Sequence, residues 1–561
     1  MAVWNAVLIA AGVAMTWWLG WRQRWIADDG LIVLRTVRQV LAGNGPVFNA
    51  GERVEVNTST AWTAVLAIAG SFPGVQLDLA AVFVGLTFAA LGIGLGIDAA
   101  RRLHHGSRPV VLVPVGAVVL LVLPPARDFL TSGLETGLVI LWLSGSWWLL
   151  VRISRGRRAG PQPWLAAVTL GAGPLIRPEL GIYALLCLLV LVGMLRPGWR
   201  RLLGLGAAAG ALPVVYEIFR VGYYGLLVPA TALAKEAART RWHNGVVYLQ
   251  DTVATYWLWV PAACALLVLA ALVARGAGWA DRWATVAVTV TPMVAGLLTA
   301  LYVVRVGGDF MHGRMLLPAV TALLLPVFAV PLTLPTLLPV LAVAVWAAAA
   351  VTGMRVDYGS RIDPATGIVD ERAYWSDSVD VEHPVTARDY LQGKSIVRRS
   401  TPAVALADQP SLMLVDWGRA YDYWRPYPAA RGFTTIQFYN LGMMGAAHPL
   451  DVRVIDHMGL AAPLAAQSTP ELGGRIGHDK GLPLAWLIAD QVDRGIPTPG
   501  SDERIRHARQ ALACPRIQEM LASVRAPLTP QRFWHNLIGA PERTAMRFSR
   551  LPERAAEQCA L

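Results

Sequence analysis

The sequence predicts a polytopic α-helical membrane protein of about 11 transmembrane helices, followed by a C-terminal α+β domain in water. Three observations predict this. Hydrophobic residues make up 55% of the 561, and the mean hydropathy of +0.46 is far above that of a soluble chain of this length. The apolarity is uneven: most of residues 1–352 is apolar runs separated by short charged loops, while 353–561 has the mixed composition of a soluble domain. Only 15% of residues are charged, and many arginines sit in the short loops, which is how membrane orientation is encoded. The net charge of +12 and pI of 9.9 would point to nucleic acid in a soluble chain; placed in these loops they point to a membrane, so no nucleic-acid partner is expected.

Residues 3–20 form the first span. No small-residue cleavage site follows, and Arg22-Gln23-Arg24 does, so the helix reads as retained. Further apolar runs fall at 77–99, 109–123, 134–152, 164–176, 179–196, 202–217, 256–274, 284–303, 315–333 and 335–351, eleven in all. The basic loops Arg101-Arg102-Leu103-His104-His105, Arg152 to Arg158, Arg196 to Arg201 and Arg275 to Arg282 are then cytoplasmic. The alternation holds if 60–72 lies at the outer interface as a short helix. The expected layout is therefore a transmembrane domain over 1–352 with outer loops 21–76 and 218–255, and a periplasmic domain over 353–561, in a bacterial inner (plasma) membrane. In that last domain, 403–407 and 412–415 read as strands and Asp502 to about Val524 as helical. Tyr421-Asp422-Tyr423-Trp424-Arg425-Pro426-Tyr427 suits either stacking on sugars or an ordinary core. Cys187 and Cys264 lie in apolar runs; Cys514 and Cys559 lie in the soluble part, where an outside location permits a disulfide and two unrelated small residues are the alternative.

The charged residues assigned to the outer side carry the candidate chemistry. Asp28-Asp29-Gly30 follows the first span, and Leu31, Leu34, Val37, Val40 and Leu41 recur at helical spacing with Arg35 and Arg38 on the other side, which predicts an amphipathic helix on the membrane surface. Two adjacent acids in partial desolvation should differ in pKa, giving a base or nucleophile beside a second carboxylate; the alternative is a helix N-cap. Lys235 ends an amphipathic stretch and suits either a lipid phosphate or a snorkelling position. Arg177 and Glu179 interrupt apolar sequence, as a functional pair or a structural one. Asp309, His312 and Arg314 form a polar cluster around Gly307-Gly308; the segment lacks the Lys-Ser/Thr of a phosphate loop, and His312 is either interfacial or a ligand. No HExxH or Cys/His cluster occurs.

Taken in order, Asp28-Asp29-Gly30, Arg35, Gly43-Asn44-Gly45-Pro46-Val47-Phe48-Asn49, Gly51-Glu52-Arg53-Val54-Glu55, Thr58-Ser59-Thr60-Ala61-Trp62, Ser132-Gly133-Leu134-Glu135-Thr136, Arg177-Pro178-Glu179, Tyr224-Gly225 to Lys235 and Gly307-Gly308-Asp309-Phe310 resemble the actinobacterial GT-C arabinofuranosyltransferases, and among them the branch making terminal β-(1→2) linkages in mycobacterial and corynebacterial cell walls. The similarity extends more weakly to Val454-Ile455-Asp456-His457-Met458-Gly459-Leu460. Pro229-Ala230-Thr231 departs from it, because related proteins often carry Asn after this Pro. The resemblance implies a GT-C fold, a decaprenyl-phosphoryl-β-D-arabinofuranose donor in the outer leaflet, and an acceptor at the arabinan termini of arabinogalactan and lipoarabinomannan. It implies catalytic roles for Asp28 and Asp29, phosphate contacts for Arg35, Arg177, Lys235 or Arg314, and substrate contacts for Glu135, Glu179, Tyr224, Asp309, His312 and Trp62. Donor and product would both be β, so configuration is retained. Many GT-C enzymes use no metal and some do, and the paired acids leave room for a divalent cation. A polyprenyl-phosphate-mannose mannosyltransferase shares these features; a lipid or sugar transporter would show internal repeats and charges at the bilayer midplane; a non-catalytic sugar-binding scaffold would tolerate loss of both acids.

Overall fold

The computed structural model describes residues 2–104, 110–156, 160–274, 282–393, 397–415, 424–430, 432–471 and 477–560; His105, Arg157, Arg158, most of the 275–282 loop, Lys394 and residues 421–423 lie outside these. Two compact units emerge. The first comprises 1–25, 81–214 and 240–374, and the second 26–80, 215–239 and 375–561.

Apolar helices dominate the first unit. Continuous Leu, Val and Ala runs satisfy their own backbone hydrogen bonds, which is what a lipid environment demands. Among the described residues, six helices are long and apolar enough to cross a membrane: Val3–Arg22, Leu77–Leu103, Thr136–Ser154, Trp199–Tyr224, Trp283–Val306 and Leu334–Thr352. Trp242–Thr255 and Trp259–Leu272, bent by 80° at their break, make a seventh if they act as one broken span. Length and composition thus support six or seven spans, where the apolar runs led to an expectation of eleven. The run 109–123 contains the two-residue strand Leu112–Val113 and the helix Val115–Val122, 164–176 is split into Gln162–Gly171 and Gly173–Ile176, 179–196 is the 16-residue helix Leu180–Leu195, and 315–333 is Leu317–Leu324 between two 3-10 turns. Pro174, Pro318 and Pro326 each open a new helical piece, because proline cannot donate to a continuing ladder. Conversely, the helix expected at 202–217 continues to Tyr224, through Glu217 and Arg220. At one crossing the backbones nearly touch: a Cβ on Gly137 would come within 2.1 Å of the Gly85 carbonyl oxygen, the close approach small residues give membrane helices.

In the second unit, α-helix Asp28–Leu41 and the 11-residue helix Thr60–Gly70 accompany a four-stranded mixed sheet. Its strands are β1 (Ser411–Val415), β2 (Trp424–Pro428), β3 (Thr435–Gln437) and β4 (Arg453–Ile455), in the order β2-β1-β3-β4. β1 pairs antiparallel with β2 (Leu412 opposite Tyr427) and parallel with β3, and β3 is parallel to β4. The helix Leu441–Ala447 makes the crossover from β3 to β4. Leu412, Leu414, Tyr427 and Ile488 form one core beneath the sheet, and Trp486, Leu512, Ile517, Met520 and Phe548 a second.

Two local expectations are corrected here. Residues 403–405 belong to the helix Val397–Ala405, since alternating Ala and Val carries alanine's high helix propensity as well as a strand pattern. And Asp28–Leu41 is not a surface helix: both faces are covered, Arg35 being 1% exposed, so its polar side meets protein. The expected helical stretch after Asp502 is present as Asp502–Leu512 and Pro515–Arg525. Cys514 and Cys559 are disulfide-bonded, with Cα atoms 5.5 Å apart.

Candidate active site

In the second unit, Ile26-Ala27 leads into helix Asp28–Leu41 by way of an Ile26 amide donating to the Pro384 carbonyl (2.9 Å) and a Tyr390 hydroxyl donating to the Ile26 carbonyl. Ala27 holds the N-cap position, so Asp28 and Asp29 are in the first turn and neither caps the helix. The Asp28 carboxylate is used across the fold instead. Its Oδ1 accepts the backbone N–H of Met443 at 2.7 Å, in the first turn of Leu441–Ala447. The two helices meet so closely that a Cβ on Gly442 would lie 1.8 Å from the Asp28 carbonyl oxygen. Burial pushes the Asp28 carboxyl up to about 7; the Met443 and Gly442 amides pull it down, and the adjacent Asp29 charge adds to the rise. A carboxyl poised near neutrality beside a second carboxyl, both half-buried, is suited to proton transfer.

Other expected site residues in this unit have structural employment. Arg35 donates from Nε to the Phe48 carbonyl (3.0 Å) and from its two terminal nitrogens to Gly445 and Val452 carbonyls (both 2.6 Å), pinning the helix to the 445–452 segment. Its donors are committed to backbone, which leaves little for a phosphate. Trp62 is 0% exposed and offers no open face to a sugar. Tyr224 is buried and donates its hydroxyl to the Pro46 carbonyl at 2.6 Å. Lys235 is partly buried at the C-cap of Ala230–Ala234; the neighbouring Glu236 pairs with Lys480 (2.9 Å). Glu52 is bound by Arg453 and Arg525, each at 2.6 Å, and Arg525 continues to Asp490 at 2.8 Å. Glu55 pairs with Arg220 at 3.0 Å, and its burial, only partly offset by Arg220, raises it to about 7. Much of the Gly43–Glu55 pattern therefore specifies ionic and backbone staples between distant chain segments.

In the first unit, Arg177 is clamped by Glu135 (2.6 Å) and by Glu179, all three largely buried. Burial alone would lower the Arg177 pKa, but the two carboxylates hold it above its ordinary value. Asp309 accepts the Phe310 amide at 2.9 Å and stands 3.8 Å from Arg314. His312 Nδ1 is 2.5 Å from Asp251 Oδ2 and 3.0 Å from the Tyr358 hydroxyl, while Nε2 is 3.0 Å from the Tyr256 hydroxyl. Gly307 and Gly308, both at positive φ, let the chain pass Tyr248, which a Cβ on Gly308 would meet at 2.4 Å. Asp128, Asp370 and Arg372 line a small crevice with His312, and burial, reinforced by the nearby Asp370 charge, pushes Asp128 up to about 7. Sequence reasoning placed Asp128 among the outer charges, but Asp251, Tyr256, Tyr358, Asp370 and Arg372 carry no spacing signal that would have gathered them. The twelve expected residues thus fall into two groups: Asp28, Asp29, Arg35, Trp62, Tyr224 and Lys235 in the second unit, and Glu135, Arg177, Glu179, Asp309, His312 and Arg314 in the first.

Among the described residues, no group of three or more His, Cys, Asp or Glu is arranged to hold a metal ion.

Several spanning-length apolar helices together with a mixed-sheet unit carrying a carboxylate pair define a multi-pass membrane protein with a candidate acid–base site. Residues 402–554 match the AftB family C-terminal domain. Over 621 aligned positions, covering 100% of this chain and 98% of the relative, the chain is 39% identical to the terminal β-(1→2)-arabinofuranosyltransferase of Mycobacterium tuberculosis (strain ATCC 25618 / H37Rv). It is 37% identical over 590 positions to the terminal β-(1→2)-arabinofuranosyltransferase of Corynebacterium glutamicum, covering 94% of this chain and 84% of that one. The chain belongs to the family of terminal β-(1→2)-arabinofuranosyltransferases. No solved structure matches.

Proposed function

We propose that this protein transfers arabinofuranose from decaprenyl-phosphoryl-β-D-arabinofuranose to the non-reducing ends of cell-wall arabinan, in arabinogalactan and lipoarabinomannan, forming terminal β-(1→2) linkages with retention. The observation that carries it is full-length kinship with two such transferases; the Asp28–Asp29 pair supplies the chemistry. In the reaction the bond from the donor C1 to phosphate oxygen breaks, a bond from C1 to the acceptor 2-hydroxyl oxygen forms, and the hydroxyl proton leaves to a carboxylate. Asp28, raised to about 7 by burial, exchanges a proton near neutral pH, and Asp29 is the second carboxylate. Retention follows either from a carboxylate nucleophile with a covalent intermediate or from same-face attack through an ion pair. Lys235 is the cation assigned to the leaving phosphate, a charge-stabilising role of large effect in such reactions. Arg35 acts by positioning the helix that bears the acids. Phosphate contacts by Arg177 and Arg314, and substrate contacts by Glu135, Glu179, Asp309 and His312, are separate parts of the proposal, each open to its own variant, whereas the buried Trp62 and Tyr224 pack the fold.

In this reading the chain has the GT-C arrangement with about 11 crossings, the short apolar helices included, over 1–352, and residues 353–561 form a periplasmic domain that contributes to acceptor binding. The disulfide Cys514–Cys559 supports an oxidising location for that domain, and the basic loops support a cytoplasmic face for the other side. The test is transfer of labelled arabinose from the decaprenyl donor to a short synthetic arabinan by the purified protein, with linkage analysis of the product. A β-(1→2) cap is expected. Transfer from a polyprenyl-phosphate-mannose donor, with none from the arabinose donor, would replace the function and keep the fold.

A further inference from the structure

The second unit contains a cavity of ≈ 290 Å³ at the carboxyl ends of the parallel strands, with Val415 of β1, Gln437 of β3 and Ile455 of β4 on its wall. This is the end of an open α/β sheet at which ligands bind, and the volume is near the lower end of the roughly 300–1,000 Å³ range of small-ligand sites. Leu414, Leu482 and Leu487 give it an apolar side.

Its polar lining is a ladder of paired charges. Arg453 and Arg525 each bond Glu52 at 2.6 Å, and Arg525 grips Asp490 with both terminal nitrogens at 2.8–2.9 Å; a third carboxylate on the wall, Asp456, accepts the Gly459, Leu460 and Ala461 amides, so both guanidinium groups are matched and no positive charge is left over. A phosphate or nucleotide needs surplus positive charge, which this ladder does not offer. A neutral polyol needs fixed donors and acceptors, which the ladder provides together with Gln437, His457 and Gln491. Next to it, Arg453 Nε and Gln491 Oε1 are buried with no hydrogen-bond partner among the described residues.

The cavity is also tied to the carboxylate pair. β3 ends at Gln437, on the cavity wall, and the chain then enters Leu441–Ala447, whose Met443 amide holds Asp28. Even fully extended, the chain from Gln437 to Met443 spans at most about 20 Å. We infer that this cavity is a remote acceptor subsite, holding furanose residues of the arabinan chain behind the terminal residue that reacts at Asp28. The inference rests on the proposed function for the nature of the sugar.

The test compares kcat/KM for a synthetic arabinofuranose disaccharide and octasaccharide, using the full-length protein, its Leu487→Trp variant, which fills the cavity, and Gln437→Ala, which removes one polar group from its wall. Melting curves establish that each variant is folded. The wild type is expected to prefer the octasaccharide, and Leu487→Trp to lower that preference by about tenfold, Gln437→Ala by less. An unaltered preference in both folded variants overturns the inference. Direct titration of the octasaccharide into Asp28→Asn protein separates the two proposals. Binding that Leu487→Trp removes supports the subsite even if the wild type transfers no arabinose, an outcome that would defeat the proposed function alone; binding that survives Leu487→Trp places the glycan elsewhere.

Discussion

At the scale of single residues, Asp28 concentrates the chemistry because its carboxyl, half-buried and held by the Met443 amide, sits beside a second acid, Asp29. Asp28→Asn keeps the acceptor oxygen that the Met443 amide needs, so the variant is expected to fold and to lose about 10²–10⁴-fold in transfer rate, read in the labelled-arabinose assay. The wild-type rate should climb as pH rises through about 7, as Asp28 gives up its proton. Stability should move the other way. The folded pKa of about 7 lies above the ordinary 3.8, so in that window the unfolded chain has lost a proton the folded chain retains, and the fold weakens as pH rises. Asparagine does not ionise; the melting temperature of Asp28→Asn relative to wild type should therefore be higher at pH 8 than at pH 4. Equal pH dependence in the two proteins would mean that Asp28 titrates normally. Gly442 makes the same contact possible from the other side. Gly442→Ala would drive a methyl group against the Asp28 carbonyl, and a loss of about 1–3 kcal/mol in denaturant unfolding is expected, together with lost activity.

At the scale of elements, helix Asp28–Leu41 is held by Arg35 as well as by its buried Leu31, Leu34 and Val37. Arg35→Met leaves the Gly445 and Val452 carbonyls without this donor, at a cost of about 1–3 kcal/mol for each one left buried and unpaired, while the Phe48 carbonyl keeps Gln39 Nε2 at 3.3 Å. Lysine, lacking the planar fork, should rescue only part of this in a thermal melt. The sequence pattern was read correctly as a helix and wrongly as a surface one, because an arginine serving buried carbonyls looks identical in sequence to one facing water. Arg177 poses the same ambiguity within apolar sequence. Removing it strands Glu135 and Glu179, so Arg177→Met should destabilise by about 3–5 kcal/mol, and adding Glu135→Gln should recover part of the loss. Additive losses in that double mutant would mean the pair is not coupled.

At the scale of the whole molecule, the chain combines long apolar helices with a water-compatible mixed sheet stapled near its end. Cys514 and Cys559 close a loop of 45 residues, for which the chain-entropy relation gives about 4 kcal/mol. Cys514→Ser is expected to lower the stability of the C-terminal region accordingly, seen as earlier cleavage of that region in pulse proteolysis. After mild reduction, a membrane-impermeant thiol reagent applied to intact cells should label the pair; labelling only after the membrane is opened would place the domain in the cytoplasm and reverse the proposed orientation. Span count belongs to this scale as well. Six or seven helices qualify by their own length, and the short helices such as Leu180–Leu195 and Leu317–Leu324 depend on their neighbours.

The sequence by itself determined the membrane class, the long helices, the helix that begins at the acid pair and, through its ordered motifs, the family. These are legible because they are local: an apolar run must close its backbone hydrogen bonds within itself, and a motif is read in chain order. Tertiary structure alone decided what the charged residues do. Asp28 meets Met443 and Arg35 meets Val452 across 415 and 417 positions of chain, Glu52 finds its arginines at 453 and 525, and Asp251 reaches the turn residue His312 from helix Trp242–Thr255. A buried charge is stable only with a partner, and a partner hundreds of residues away leaves no periodicity or spacing behind, so its identity exists only in the folded chain.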